Sequence, residues 1–136
     1  MCIRDRLSAN PVAMSAGYAA LQQLLEPGFY EDIETKTQSF VNDILEFAKE
    51  QGMDLTIPTI GSIFWIAFTK DRIISADQID PASMEKFKVL HHELLQRGVY
   101  LGPSGYEVGF VSAAHTVADL TEAADIMKEC LKIVFS

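Results

Sequence analysis

The sequence predicts an α+β domain, a small and largely antiparallel sheet covered by helices. Two observations carry that expectation. Signals along the chain run helix, helix, strand, strand, helix, strand, strand, helix, with no internal repeat and no second domain. One strand signal, Ser62 to Phe68, is apolar on both faces, as a central strand covered on both sides must be.

The first helix is expected from Pro11 to about Leu25. Asn10 is a strong N-cap, and Pro11 suits the first helical position because its missing N–H would be orphaned there anyway. Val12, Ala16, Ala19, Ala20 and Leu24 share one stripe whose small residues suit close packing against a neighbour, and Glu26-Pro27-Gly28 ends it. The second helix is expected over roughly Tyr30 to Gln51. Ile33, Thr37, Phe40, Val41, Ile44, Leu45 and Ala48 face inward, Glu34, Asp43, Glu46 and Glu50 stay wet, and Gly52 closes it.

Leu55-Thr56-Ile57 reads as a short strand ended by Pro58, and 62–68 as the central one. Residues 69–80 read as a surface connection. Asp80 is expected to cap a third helix beginning at Pro81, with Met84, Phe87, Leu90, His91 and Leu94 inward and Gly98 at its end. Val99 to Leu101 and Val108 to Val111 read as strands bracketing the loop GPSGYE. Thr116 and Asp119 form a capping-box-like pair opening the last helix, whose core face is Leu120, Ala123, Ala124, Met127, Cys130, Leu131 and Val134.

Composition narrows the function classes. The chain has 136 residues, 49% apolar and 22% charged, as a globular domain does. Its formal charge of −8 opposes both nucleic-acid phosphates and anionic membrane surfaces. No apolar run approaches the roughly 18 to 20 residues of a membrane span. Two cysteines, Cys2 and Cys130, make a disulfide framework an unlikely design, and a reducing cytoplasm is expected.

Few residues suggest chemistry. His91 and His92 are adjacent in a helix and point about 100° apart, so they chelate one metal poorly; a half-buried histidine beside an exposed one is the simpler reading. No HxxxH or CxxC pattern occurs, so no metal site is expected. Cys130 falls on a core stripe and reads as an inert thiol. Gly102-Pro103-Ser104-Gly105 reads as a turn, too short for a phosphate loop. Glu107 follows that turn and precedes an apolar strand, where loops deliver functional groups; it is either such a group or a plain surface acid. None of the seven lysines lies in an apolar context that would suit Schiff-base duty.

The segments LSANPVAMSAGYAAL, LEPGFYEDI, GSIFWIAFT and GVYLGPSGYEVGFVSAAHT resemble the C-terminal domain of the glutamate-1-semialdehyde 2,1-aminomutase family. That family sits in the class III, fold-type I aminotransferase group. The resemblance spans 7–136, and its most specific part is Pro-Ser-x-x-Glu-x-Gly-Phe at 103–110. It implies a pyridoxal 5'-phosphate enzyme, homodimeric and cytoplasmic, that converts glutamate 1-semialdehyde to 5-aminolevulinate in tetrapyrrole synthesis. The cofactor acts there as electron sink.

The resemblance also assigns residues. Glu107 matches the family's active-site glutamate, which stands where many α-aminotransferases place an arginine for the substrate carboxylate. Ser8 matches the serine of a Thr-x-Ser-Gly-Asn-Pro segment that approaches the cofactor phosphate of the partner subunit. Arg6 stands in the threonine's place, and Ala9 in the glycine's. Residues 1–6, MCIRDR, fit neither the fold nor the family and are read as a foreign leader. The Schiff-base lysine belongs to an upstream domain, so this chain alone is expected to be inactive. Two alternatives stand beside this reading: a class III aminotransferase of other specificity, and a non-catalytic α+β ligand-binding module.

Overall fold

The computed structural model describes residues 10–136. Helix α1 covers Pro11–Leu24, and Asn10 caps it as expected, its Oδ1 accepting the Val12 N–H at 2.9 Å. Helix α2 covers Phe29–Glu50 and buries Ile33, Thr37, Phe40, Val41, Ile44 and Ala48, with Leu45 half-buried. Every acid expected to stay wet on this helix is exposed. Helix α3 covers Ser83–Gln96 and buries Phe87, Leu90 and Leu94. Helix α4 covers Val117–Val134 and buries Ala124, Met127, Cys130 and Leu131. Thr116 and Asp119 complete a reciprocal capping box at its start.

Helix α4 packs against both α2 and α3, and their facing side chains form the core. Leu90, Leu94, Cys130 and Leu131 are wholly buried there. Lys128 on α4 also reaches Asp43 on α2 at 2.7 Å. Among the described residues no helix is long and apolar enough to cross a membrane.

The sheet is antiparallel and smaller than the sequence suggests. Strands β1 (Thr59–Ile60), β2 (Ile63–Phe64) and β3 (Gly109–Phe110) lie in the order β1-β2-β3, with Ile60 opposite Ile63 and Ile63 opposite Phe110. Phe64 of the central strand meets Phe40 of α2 edge to face, with ring centroids 5.5 Å apart, which seats the sheet on that helix.

The central strand expected over 62–68 is regular only at Ile63–Phe64, and three further sequence expectations need correction. Leu55–Ile57 is not a strand: it contributes one bridge, Thr56 to Ala67, and regular pairing begins only beyond Pro58, which has no N–H to donate. Val99–Leu101 is not a strand either, because the Val99 N–H turns back to the Leu94 carbonyl at 3.0 Å and closes α3 instead. Helix α3 starts at Ser83 rather than Pro81. Asp80 Oδ1 accepts the Ala82 N–H at 2.9 Å, and successive three-residue hydrogen bonds wind through 80–85 before the helix proper.

Among the described residues the stripe on α1 is left largely uncovered, and the helix meets only α2. No residue of α1 is buried, and Val12, Met14, Tyr18 and Leu21 are exposed.

Candidate functional site

Glu107 lies on the loop between α3 and β3, and it is exposed. The turn that delivers it is built locally. The Glu107 N–H donates to the Ser104 carbonyl at 3.0 Å, and the Tyr106 N–H lies 3.3 Å from Ser104 Oγ. Two residues on, the chain enters β3.

Two glycines set the loop's course by close approach. At Gly102 an added Cβ would fall on the Glu107 carboxylate and lie 3.1 Å from its Cβ, so the acid folds back over a bare stretch of backbone. Gly105 is buried, and a Cβ there would lie 2.5 Å from Met84 Sδ and 2.9 Å from Phe87 Cγ. The loop is thereby pressed onto the start of α3.

Two side-chain hydrogen bonds tie the same loop to the domain. Trp65 Nε1–H donates to the Gly105 carbonyl at 2.8 Å. His91 Nε2 lies 3.2 Å from the Leu101 carbonyl, and since a carbonyl only accepts, that nitrogen carries the hydrogen. The His91-His92 pair is half-buried and exposed in that order, as its spacing suggested. Sequence reasoning missed Trp65 as part of the site. The available signal was a tryptophan inside an apolar strand, whose N–H must find a partner when covered.

Beside Glu107, Phe64, Ile66, Phe87, Leu101 and Gly102 leave a cavity of about 10 Å³, room for a single water at most. A groove of about 1040 Å³ along Met53, Leu55, Ile57, Arg72 and Ile74 shares no residue with the Glu107 loop. Tyr106, next to Glu107 in the chain, is more than half exposed.

The remaining candidates fall elsewhere. Cys130 is wholly buried, and burial pushes its thiol up. None of the seven lysines is buried; Lys36 and Lys128 are half-covered and ion-paired, and the other five are exposed. No described lysine therefore stands ready to hold an aldehyde cofactor covalently. Cys2, Arg6, Ser8 and Ala9 lie outside the described residues, as does the MCIRDR segment.

No family model matches the chain. A glutamate-1-semialdehyde 2,1-aminomutase from Laribacter hongkongensis is 38% identical over 123 residues, covering 90% of this chain and 29% of that protein. A structure described as a transaminase with PLP bound is 28% identical at a TM-score of 0.72, covering 93% of this chain and 28% of that one. An omega-transaminase from Sphaerobacter thermophilus shares the fold at a TM-score of 0.77 and 23% identity, covering 94% of this chain and 29% of that one. The chain spans under a third of the length of each of them. Over nine-tenths of its length this chain is therefore similar to a glutamate-1-semialdehyde 2,1-aminomutase, as the sequence resemblance implies.

Proposed function

We propose that this chain is the C-terminal small-domain portion, residues 7–136, of a pyridoxal-phosphate-dependent aminomutase that converts glutamate 1-semialdehyde to 5-aminolevulinate for tetrapyrrole synthesis. Glu107 is the residue it contributes to the substrate side of the site. The observation that carries this reading is Glu107 exposed on an anchored loop, in a chain 38% identical to an aminomutase over 123 residues. A carboxylate there repels the α-carboxylate of a glutamate-like substrate and so disfavours ordinary transamination. A class III aminotransferase of other specificity would place an arginine near 104–107, and Glu107 opposes that alternative.

The described residues do not by themselves fit the cofactor, since they offer no buried lysine. Covalent attachment falls to an upstream domain of a complete, cytoplasmic homodimeric enzyme, and Ser8, outside the described residues, is the residue proposed for the cofactor phosphate of the partner subunit.

The test has two arms. Titrated with pyridoxal phosphate, the 136-residue chain should give only weak, non-saturating lysine adducts; a saturable one-to-one yellow complex would refute the division of labour. In an enzyme completed with its upstream domain, Glu107→Gln should impair isomerisation far more than cofactor binding. Equal loss of both would remove the role given to Glu107.

A further inference from the structure

We infer that Trp65 is a positioning residue for Glu107, acting through the backbone of the loop that carries it. The inference rests on the reading of Glu107 as the substrate-side carboxylate. Trp65 follows directly on β2, near the middle of the domain, and its Nε1–H crosses to the Gly105 carbonyl, 40 residues along the chain, at 2.8 Å. Gly105 is buried against Met84 and Phe87 of α3, so the indole clamps the loop from one side while the helix supports it from the other. Two residues later comes Glu107, whose carboxylate rests over Gly102.

The far end of the same loop is held independently, by His91 on Leu101. With both ends tied, the Glu107 N–H keeps its bond to the Ser104 carbonyl, and the acid keeps its seat. Removing the indole donor leaves the Gly105 carbonyl half-buried and unpaired. It must then reach water, and the loop must lift from α3 to let it. A side chain that fixes a loop through one part-buried hydrogen bond is a common way to hold a functional group in place.

The chain contains a single tryptophan, so replacing tryptophan by benzothienylalanine during expression alters Trp65 alone. Sulfur then stands where the N–H was, and the ring volume is retained. Trp65→Phe is the second variant. Two quantities are read by NMR on the 136-residue chain: hydrogen exchange of the Glu107 amide, and nuclear Overhauser contacts between the Gly102 Hα atoms and the Glu107 side chain. The expected result is roughly five- to tenfold faster Glu107 exchange, the scale of one lost hydrogen bond, with those contacts weakened and the core amides of α2 and α4 unchanged.

Unchanged Glu107 exchange with the contacts intact would overturn the inference. So would acceleration that merely tracks the core amides in the benzothienyl variant, since Trp65 would then be a packing residue only. Neither readout depends on catalysis. If Glu107→Gln leaves isomerisation untouched while the loop behaves as described, the assignment of Glu107 has failed and the clamp has not.

Discussion

Gly105→Ala tests whether the Glu107 loop is seated as closely as the geometry indicates. An added Cβ would lie 2.5 Å from Met84 Sδ, 2.9 Å from Phe87 Cγ and 3.0 Å from Phe87 Cβ. The sulfur is the far end of a flexible, half-buried side chain and can swing aside. Phe87 cannot: it is buried, and its Cβ is fixed to the backbone of α3. To restore ordinary contact the loop must retreat by about 0.5 Å, which strains the Trp65 hydrogen bond. Overpacking of this kind costs about 1–3 kcal/mol. For a domain of this size that corresponds to a fall in Tm of roughly 3–12 °C. Urea unfolding followed through the single tryptophan reads both effects, because Trp65 donates to the substituted residue itself. Gly102→Ala is the contrast. Its Cβ falls on the Glu107 carboxylate, a flexible exposed group, so stability should stay within ~0.5 kcal/mol while the acid is displaced. If Gly105→Ala is as harmless to stability as Gly102→Ala, the loop is not seated on Phe87 and the reasoning fails.

Two further outcomes concern the scaffold. Asp119 accepts the Thr116 hydroxyl and then the Thr116 N–H, and these bonds hold its carboxyl below the ordinary aspartate range. A group depressed by folding contributes stability that is present above its unfolded pKa and is lost as pH falls through the folded one. Comparing urea midpoints at neutral pH with those below about pH 4, Asp119→Asn should be weaker at neutral pH and less acid-sensitive than the parent; equal acid sensitivity of the two would refute the assignment. Cys130 is wholly buried with its thiol pushed up by that burial, so in a Cys2→Ser background a disulfide reagent should label it only on unfolding. Labelling of the native chain at the rate of the unfolded one would refute its place in the core.

The parts of this fold that were legible in the sequence are those set within a turn or two of chain. The inward faces of α2, α3 and α4 follow a 3.6-residue period, and the caps at Asn10 and Thr116 are satisfied by residues two and three places on. The strands were legible only as apolar segments. Which residues pair depends on partners elsewhere, and on Pro58 having nothing to donate at the place where β1 would otherwise have begun. Val99 to Leu101 had the composition of a strand, but its first N–H was already used by α3 and its last carbonyl by His91. The candidate site divides in the same way. Glu107 could be picked out from its place after a glycine-rich turn, whereas the indole that holds its loop lies forty residues away and could not.

Regular backbone and firm anchorage are separate properties in this molecule, and the site depends on the second. Helix α1 is regular and well capped, yet it buries nothing and meets only α2 among the described elements. Fourteen residues of helix are marginal in water unless one face is covered. The loop from Leu101 to Glu107 has no regular backbone, but a buried glycine presses it onto α3, and hydrogen bonds from α3 and from the end of β2 hold it. Local opening follows the number of buried ties rather than the secondary structure. The carboxylate that the proposed function turns toward the substrate is therefore better carried by this irregular segment than by α1, none of whose residues is buried.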